Sequence, residues 1–365
     1  MYDVMIIGAS LGGSAVACLL GRAGLRVGLV ERATRSRSKP CGEGLAAVGV
    51  TAAERIGFWS SCQPPVPSRR YDGFKVESAG RTRILGLRRG GATVERRAFD
   101  THVSTVAANT PNVNALFGVP VTVMRDGEGY AVRLGADTVT ARWLVIADGS
   151  NSPCARALGV RETRTAPPRM GAACHYAGRF SGEPIYVHIT VEDRYELYAT
   201  PLPDGRLNLA VMAPWRGGVD LRGLFGTHAV RDRLFDSLGF EGVPTEDIRG
   251  RAPLGGVSRW GAPPGVLLVG DAAEEFDPIG GMGMSHALLS GELAAHAILA
   301  GEASTASDQL TVQRRYEIDR SLMARPLRRF TGIAYRALRT SRKLPMVLDL
   351  AASRLGGFVT DRMVP

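Results

Sequence analysis

Three glycines and one carboxylate near the start of the 365-residue chain have the spacing of a nucleotide-binding site. Gly8, Gly12 and Gly13 lie between an apolar run and a helical pattern, where small residues let the backbone approach a pyrophosphate. Glu31 lies 23 residues after Gly8, close to the spacing at which a carboxylate accepts hydrogen bonds from a ribose diol. Ser10 replaces the middle glycine of the usual GxGxxG pattern, and its hydroxyl can donate to a phosphate. This segment therefore predicts a dinucleotide site.

Two later turns have similar chemistry. The segment ADGSNSPCAR at 147–156 follows an apolar run and turns sharply through an acid and a glycine. In GDAAEEFDPIGGMGM at 270–284, Asp271 follows a buried strand and can accept hydrogen bonds from a polyol. Gly281 and Gly283 open the next helix and would bring its N-terminus close to a ligand. Both turns are candidates for extending the nucleotide site.

The segments around these turns predict an α/β fold. Residues 3–8 and 26–31 read as strands on either side of a helix that ends near Gly24, so that they form a βαβ unit. Residues 119–150 alternate like a β-meander that returns to the main sheet. The alternation between 168 and 254 predicts an antiparallel sheet with a partly exposed face. The nucleotide-binding pattern then resumes with GVLLVGDAA, so the first domain is discontinuous in sequence.

The composition excludes several other classes of protein. With 45% hydrophobic and 22% charged residues, the chain is neither collagen-like, disordered nor a coiled coil. Its five cysteines are scattered without a CxxC pair, which argues against a disulfide framework and a thiolate zinc site. The sequence has no apolar run of about 18 residues and no basic leader. We therefore expect a cytoplasmic protein without stable membrane insertion.

The net charge of +10 comes from arginines, because only three of the 45 basic residues are lysines. Much of the excess lies between Arg314 and Arg342, with apolar residues at roughly helical spacing. We expect a solvated helical face, on which glutamine at Arg328, Arg329 and Arg339 changes stability by only about 0.5 kcal/mol per site. Docking of an acidic partner or a membrane surface is the alternative. Nucleic acid is disfavoured, because zinc-finger spacing and an RNP-like segment are absent.

The three turns stand in the order and approximate spacing of the flavoprotein hydroxylase superfamily, which the chain resembles over roughly residues 1–300. This resemblance implies noncovalent FAD. The first turn would bind the ADP half, the second would lie near the pyrophosphate, and the third would bind the ribityl chain and the flavin ring. The segments KPCGEGL at 39–45 and YATPLPDGRLNLAV at 198–211 resemble the geranylgeranyl reductase and flavin-dependent halogenase branch.

The resemblance implies an α/β fold with a Rossmann-type FAD-binding domain, an inserted antiparallel-sheet substrate domain and C-terminal helices. The FAD-binding domain is predicted at 1–75, 93–167 and 255–304, the substrate domain at 76–92 and 168–254, and the helical segment at 305–365. The predicted FAD-binding residues are Gly8, Ser10, Leu11, Gly12, Gly13, Glu31, Arg32, Arg96, Asp148, Gly149, Gly270, Asp271, Gly281, Met282, Gly283 and Met284. The predicted substrate-binding residues are Tyr198, Thr200 and Pro201.

Three residues near the expected flavin are candidates for catalysis. Glu274 could act as a general base whose pKa is raised by burial, or could pair with one of the many arginines. Cys41 has either a redox role or a packing role, and no resolving cysteine lies near it in sequence. Pro278 is included because it lies beside the flavin in the third turn. No spacing of His, Asp and Glu suggests a metal site.

The resemblance favours an FAD-dependent monooxygenase that hydroxylates or epoxidises a small, secondary-metabolite-like substrate through a flavin C4a-hydroperoxide. The alternatives are an FAD-dependent reductase of C=C bonds in a prenyl-like or conjugated substrate, and a flavin-binding protein without turnover. Halogenation is disfavoured, because the Trp-x-Trp-x-Ile-Pro segment of halogenases is absent. Prenyl reductases usually carry an aromatic pair before the proline of the segment Tyr198-Ala199-Thr200-Pro201, and this chain lacks it.

The sequence contains one dinucleotide fingerprint. NAD(P)H is therefore expected to bind transiently as the reductant, or a separate flavin reductase must deliver electrons. The other expected partners are the small-molecule substrate and, through the basic segment, an acidic carrier protein.

Overall fold

The computed structural model describes residues 1–34, 38–127, 129–193, 195–216, 218–226, 228–245, 248–302 and 308–338. Its helices are α1 (Leu11–Arg22), α2 (Ala47–Ile56), α3 (Arg96–Ala108), α4 (Pro153–Ala157), α5 (Leu221–Phe225), α6 (Ala229–Leu238), α7 (Gly283–Glu302) and α8 (Gln309–Leu338). Short 3-10 turns lie at Gly270–Ala272 and Pro278–Gly280.

Its first ten strands are β1 (Tyr2–Ile7), β2 (Val27–Glu31), β3 (Gly44–Leu45), β4 (Ser68–Ser78), β5 (Arg81–Val94), β6 (Val113–Phe117), β7 (Val121–Asp126), β8 (Gly129–Leu134), β9 (Asp137–Ile146) and β10 (Arg161–Arg164). The remaining strands are β11 (Arg169–Phe180), β12 (Tyr186–Val191), β13 (Glu196–Pro201), β14 (Leu207–Pro214), β15 (Phe240–Pro244), β16 (Arg249–Leu254), β17 (Val257–Trp260), β18 (Val266–Leu268) and β19 (Glu274–Glu275).

The first sheet is built on the predicted βαβ unit. β1 pairs in parallel with β2 on one side and with β9 on the other, and β2 pairs in parallel with β6. The predicted meander supplies antiparallel β7 and β8, while β18 adds in parallel to the C-terminal half of β9. Because β1, β9 and β18 run in the same direction, the three glycine-containing turns that follow them meet at one edge of the sheet. The α/β prediction is confirmed.

Both faces of the first sheet are covered. Val4 and Ile6 of β1 pack into one core with α1, α2, α3 and α7, whereas Met5 and Ile7 pack on the opposite face with the meander and α4. This two-sided burial explains why β1 reads as a continuous apolar run. Helices α1 and α7 pack closely through glycine, since a Cβ on Gly291 would lie 2.6 Å from the Gly12 carbonyl oxygen.

The second sheet has the strand order β15-β11-β14-β13-β12-β4-β5-β3, with β16 also pairing with β11. Its pairs are antiparallel except for the parallel pair of β12 and β4. One face is buried under α5 and α6 through an aromatic and aliphatic core. β4 enters this sheet at Ser68, whereas the domain boundary is predicted at residue 76. The strand begins in a polar segment that does not alternate clearly, so the sequence does not reveal its start.

A small third sheet, β10-β17-β19, and the long helix α8 complete the described structure. α8 is tied to the first domain by its Tyr316 hydroxyl, which donates to the Leu268 carbonyl oxygen at 2.6 Å. No helix among the described residues is both long enough and apolar enough to cross a bilayer.

The predicted solvated face of the basic segment holds for part of α8. Arg325 and Arg329 are exposed. Arg320 is only 7% exposed, and both Arg320 and Arg328 pair with a buried carboxylate, so the solvated interpretation is wrong for these two. The substitution at Arg339 that we expected to be neutral lies outside the described residues.

Candidate functional site

One cavity of about 1270 Å³ runs from the edge of the first sheet to the exposed face of the second. Its walls include the turns after β1, β9 and β18, the N-terminal part of α3, the face of β12 and β13, and residues of α8. This placement matches the preference of ligand sites for the cleft between domains. The end near the first sheet is called the nucleotide end. The end on the second sheet is called the substrate end.

The turn between β1 and α1 is closed by its glycines. Gly8 has a φ of +106°, and a Cβ there would lie 2.3 Å from the Ala147 carbonyl oxygen. A Cβ on Gly13 would lie 1.8 Å from the Gly8 carbonyl oxygen. These contacts bring the N-terminus of α1 against the strand ends. The backbone N–H groups of its first turn thus face the cavity, where they can bind an anion.

A buried ionic network lies in front of this turn. Asp100 of α3 accepts hydrogen bonds from Ser10 Oγ at 3.1 Å, from Lys39 Nζ at 3.0 Å and from Arg96 Nε at 3.0 Å. Burial alone would raise the pKa of Asp100, but Arg96 and Lys39 hold it below its usual value. Asp100 therefore stays ionised and holds the Arg96 and Lys39 side chains beside the helix N-terminus, where they favour a pyrophosphate.

Carboxylates mark the rest of the nucleotide end. Glu31 lines the cavity and accepts hydrogen bonds from the Ala9 and Ala33 N–H groups, which fixes its position at the end of β2. Asp148 and Asp271 also line the cavity. One oxygen of Asp148 is buried without a hydrogen-bond partner. Such an orphaned acceptor fits a ligand that carries hydroxyl groups.

Arg259 of β17 joins the turns that hold these two aspartates. It is 3% exposed and donates to the carbonyl oxygens of Ser150 and of Asp271, the latter at 3.0 Å. Its guanidinium also pairs with Glu162 of β10 at 2.7 Å. The third sheet therefore positions the two acidic turns relative to each other.

The start of α7 is open toward the cavity. Gly281, whose φ is +61°, and Gly283 both line the cavity, and a Cβ on either residue would meet no atom within 4 Å. The free N–H groups of the first turn of α7 thus border open space. This arrangement suits a ligand that develops negative charge, such as a reduced flavin ring.

The loop at 41–43 connects the two domains at the middle of the cavity. Cys41 and Gly42 present their carbonyl oxygens to Asn208 Nδ2 and Thr200 Oγ1 of the second sheet, each at 2.8 Å. Glu43, with a φ of +58°, accepts from the Arg96 N–H at 2.9 Å and lies 2.8 Å from His175 Nε2. The loop is therefore held from both sides.

The substrate end is mostly aliphatic and aromatic. Along this face, Ile189 of β12 lies opposite Tyr198 on one side and opposite Val76 on the other. Phe74 of β4 likewise lies between Val187 of β12 and Leu85 of β5. We call the five apolar residues the apolar strip, namely Phe74, Val76, Leu85, Val187 and Ile189, all of which line the cavity.

A buried ionic cluster lies beside the strip. Arg169 of β11 pairs with Glu196 of β13 and, at 3.1 Å, with Asp277. Tyr198 follows Glu196 by two residues on the same face of β13, and we call these four residues the Arg169 group. Burial raises the pKa of Glu196 to about 7 although Arg169 opposes the shift. Burial and the Glu196 carboxylate also raise the pKa of Tyr198 well above 10.

Comparison with known proteins identifies the nucleotide. Residues 1–174 match the family model described as FAD binding domain. Over 309 residues the chain is 29% identical to menaquinone reductase of Mycobacterium tuberculosis, covering 80% of this chain and 75% of that protein. These similarities confirm the predicted resemblance to the superfamily of FAD-dependent monooxygenases and geranylgeranyl reductases. The chain is an FAD-dependent oxidoreductase, and the prediction of FAD is confirmed.

Two further similarities extend beyond the FAD-binding part. Over 317 residues the chain is 28% identical to digeranylgeranylglycerophospholipid reductase 1 of Methanopyrus kandleri, covering 80% of this chain and 79% of that protein. The structure of P. aeruginosa PqsL in complex with 2-aminobenzoylacetate superposes with a TM-score of 0.77 at 22% identity. That superposition covers 95% of this chain and 99% of PqsL. At this identity it shows a shared fold alone.

The structure brings most of the predicted FAD residues to the cavity. Those that line it include Gly8, Ser10, Gly12, Glu31, Arg32, Arg96, Asp148, Gly149, Gly270, Asp271, Gly281 and Gly283. Leu11 and Gly13 do not line it, because the Leu11 side chain is fully buried in the core and Gly13 packs on Gly8. Met282 and Met284 line the cavity although their side chains are at most 6% exposed.

The predicted catalytic residues separate into two groups. Cys41 and Pro278 line the cavity, and burial raises the pKa of the Cys41 thiol. Glu274 does not line it, because its carboxylate faces α8 and accepts from Arg328 Nε at 2.6 Å and Arg320 at 3.3 Å. This placement agrees with the ion-pair alternative for Glu274.

The predicted substrate residues are also divided. Tyr198 and Thr200 line the cavity, with the Thr200 hydroxyl engaged by the loop at 41–43. Pro201 does not line it, and its carbonyl oxygen accepts from Thr93 Oγ1 at 2.7 Å. No group of three or more His, Cys, Asp and Glu in the described part of the chain could hold a metal ion.

The sequence interpretation missed several residues that build the site. Asp100 could have been found, since it stands four residues after Arg96 on a helical pattern and so lies on the same face. Arg259 and the Arg169–Glu196 pair had no such signal. Their partners lie 109 and 27 residues away in sequence, and only the strand order brings them together.

Proposed function

We propose that the protein is an FAD-dependent reductase that saturates carbon–carbon double bonds in an elongated apolar, prenyl-like substrate. The observation that carries this proposal is the apolar strip, which offers a hydrocarbon chain a continuous surface along three strands. Each buried methylene of such a chain contributes about 0.8 kcal/mol to binding. The names of the two relatives, menaquinone reductase and digeranylgeranylglycerophospholipid reductase, support the same direction.

The residues of the chain divide the work between the two ends of the cavity. Bound FAD, once reduced, supplies a hydride. Lys39, Arg96 and the first turn of α1 would hold its pyrophosphate, and the first turn of α7 would lie beside its ring. The apolar strip orients the hydrocarbon so that one double bond lies near the N-terminus of α7. Transient NAD(P)H, or a separate flavin reductase, provides the electrons.

Helix α8 covers the cavity from the other side. Leu327 and Phe330 line the cavity, and Leu327 is fully buried. These side chains keep water from the reacting atoms, which preserves the electrostatic effect of the α7 N-terminus. The ion pairs of Arg320 and Arg328 with Glu274 hold the helix in this position.

Oxygen transfer to a small substrate is the second candidate function. It is favoured by the segment Tyr198-Ala199-Thr200-Pro201, which lacks the aromatic pair usual before this proline in prenyl reductases. It uses the same water-poor cavity, so the shape of the site serves both reactions.

The test is a product analysis on the holoprotein with geranylgeraniol and menaquinone as probes. The FAD is reduced without oxygen, the probe is added, and the product is weighed by mass spectrometry. We expect geranylgeraniol, and the prenyl chain of menaquinone rather than its quinone ring, to gain two hydrogens, with reoxidation of the flavin without oxygen. Reoxidation only in air, with one oxygen gained by the product, would favour the second candidate and refute the first.

A further inference from the structure

The Arg169 group contains two carboxylates but only one guanidinium, so it has an excess of negative charge although these side chains are buried. Glu196 and Asp277 share one guanidinium, with side chains that are 9% and 5% exposed. The second oxygen of Asp277 is buried and has no hydrogen-bond partner among the described residues. Two carboxylates that share one cation are best accommodated when one of them binds a proton. The cluster therefore stores an exchangeable proton inside the protein.

Stability alone does not explain this cluster. Hydrophobic residues of similar volume usually stabilise a core as well as or better than a buried ion pair. Glu196 nevertheless occupies β13. Leu197 and Ala199 lie on the opposite face of this strand and are fully buried in the core under α5 and α6. A buried carboxyl next to a residue that lines the cavity, here Tyr198, is thus a candidate for chemistry.

Tyr198 connects the stored proton to the cavity. It lies two residues after Glu196 and so on the same face of β13, close enough for the Glu196 carboxylate to raise the pKa of its hydroxyl, and it lines the cavity beside the apolar strip. We propose that the Tyr198 hydroxyl protonates the substrate carbon during reduction and that Glu196 replaces the proton on Tyr198. This inference rests on the proposed reductase function.

The step is balanced as follows. The Tyr198 O–H bond breaks as one new C–H bond forms, and the hydride from the reduced cofactor forms the other as the π bond is lost. Glu196 then gives its proton to the Tyr198 phenolate and takes one from solvent. In this scheme Tyr198 is the catalytic residue, and Glu196 is a positioning residue that acts through it.

The surroundings of Glu196 set the pH at which this exchange operates. Arg169 faces it from β11 and Asp277 from the loop before the 3-10 turn, while Tyr198 lies on its own strand. Tyr335 of α8 stacks at 6.0 Å from the Arg169 guanidinium. Because burial raises the pKa of Glu196 to about 7, its protonated form is present below neutral pH and is lost as the pH rises through that value.

Two variants with matched controls test the proposal. Tyr198→Phe removes the donor and leaves the ion pair intact, and Glu196→Gln removes the exchangeable proton. Tyr195→Phe and Glu192→Gln alter the same two residue types beside the β12–β13 turn, where Tyr195 contacts His228 and Glu192 pairs with Arg233. None of the control changes affects a residue that lines the cavity.

We expect Tyr198→Phe to slow saturation of geranylgeraniol by about 100-fold or more, the usual range for loss of a general acid. Glu196→Gln should slow it by about 10-fold and abolish its dependence on pH near 7. Reduction of the bound FAD by NADPH should stay within about twofold of wild type in every variant. The infrared carbonyl stretch of a protonated carboxyl should be present in the resting holoprotein and absent in Glu196→Gln.

Saturation by Tyr198→Phe at the rate and pH profile of Tyr195→Phe would overturn the proton step while leaving the reductase function in place. A carboxyl band that persists in Glu196→Gln would also overturn it. Oxygen gain by the wild-type product would refute the reductase function, and the alkene step with it. Should Glu196→Gln fail to fold, Tyr198→Phe carries the test by itself, because its ion pair is intact.

Discussion

The nucleotide end and the substrate end of the cavity hold their ligands by different means. At the nucleotide end, the main contacts come from backbone N–H groups and from glycines whose missing side chains set the shape of the turns. At the substrate end, the surface is made by side chains from several strands of the second sheet. The two ends should therefore tolerate substitution differently, since a side chain changes far more easily than a close-packed turn.

The largest expected effect is at the nucleotide end. Gly13→Ala places a Cβ 1.8 Å from the Gly8 carbonyl oxygen, so α1 must move away from the strand ends. We expect the purified protein to lose its FAD, with affinity lowered by about 100-fold or more. Flavin absorbance after gel filtration measures this.

Gly182→Ala is the control for Gly13→Ala, because a Cβ there meets no atom within 4 Å. It should keep full flavin occupancy. Full FAD occupancy in Gly13→Ala as well would contradict the difference drawn between the two ends, because close backbone packing would then not be required for FAD binding.

The substrate end should respond to a single side chain without affecting FAD. Ile189→Asn places an amide in the apolar strip, and we expect the KM for geranylgeraniol to rise by about 30-fold, corresponding to about 2 kcal/mol of lost burial. Ile185→Asn, at a residue 45% exposed and outside the cavity lining, should leave the KM within about twofold. Equal KM values for the two variants would show that the strip does not bind the hydrocarbon.

Helix α8 borders the substrate end, and two neighbouring arginines test how it is held. Arg328→Gln removes the bond to Glu274 Oε1 and should lower the free energy of unfolding by about 1–2 kcal/mol. The effect is limited because the Arg328 side chain is 38% exposed and Arg320 remains paired. Arg329→Gln, on the exposed face, should stay within about 0.5 kcal/mol. Urea unfolding of both variants gives the difference.

The smallest effect is expected where the two ends meet. Cys41 accepts a hydrogen bond from the Glu43 N–H at 3.3 Å, and burial raises the pKa of its thiol, so the reactive thiolate is disfavoured. We expect Cys41→Ala to change kcat and flavin occupancy by less than about threefold. A loss of activity with retained flavin would assign the thiol to catalysis and sharpen the division between the ends.

The nucleotide end was largely predictable from sequence. Gly8, Glu31, Asp148 and Asp271 each terminate a parallel strand, and parallel strands bring their following turns to one sheet edge. Local patterns therefore specified both the elements and their meeting point. The same reasoning gave the βαβ unit, the meander and the inserted sheet.

The substrate end was predictable only in outline. Glu196 and Arg169 lie on strands whose alternation was visible, but the pairing that unites them depends on strand order, which a period of two does not encode. The direction of the Glu274 side chain was not predictable for a related reason. Glu274 belongs to a motif near the flavin, yet the direction of its side chain is set by Arg320 and Arg328 of a helix far along the chain.

The pairing of β18 with β9 has a consequence for synthesis of the protein. Strand β18 and helix α7 supply one of the two acidic turns and part of the predicted flavin site, and the chain makes them only after the whole inserted sheet. On the ribosome, the N-terminal βαβ unit therefore emerges well before the site it serves can close. The complete cofactor site can therefore form only after the inserted sheet has been synthesised.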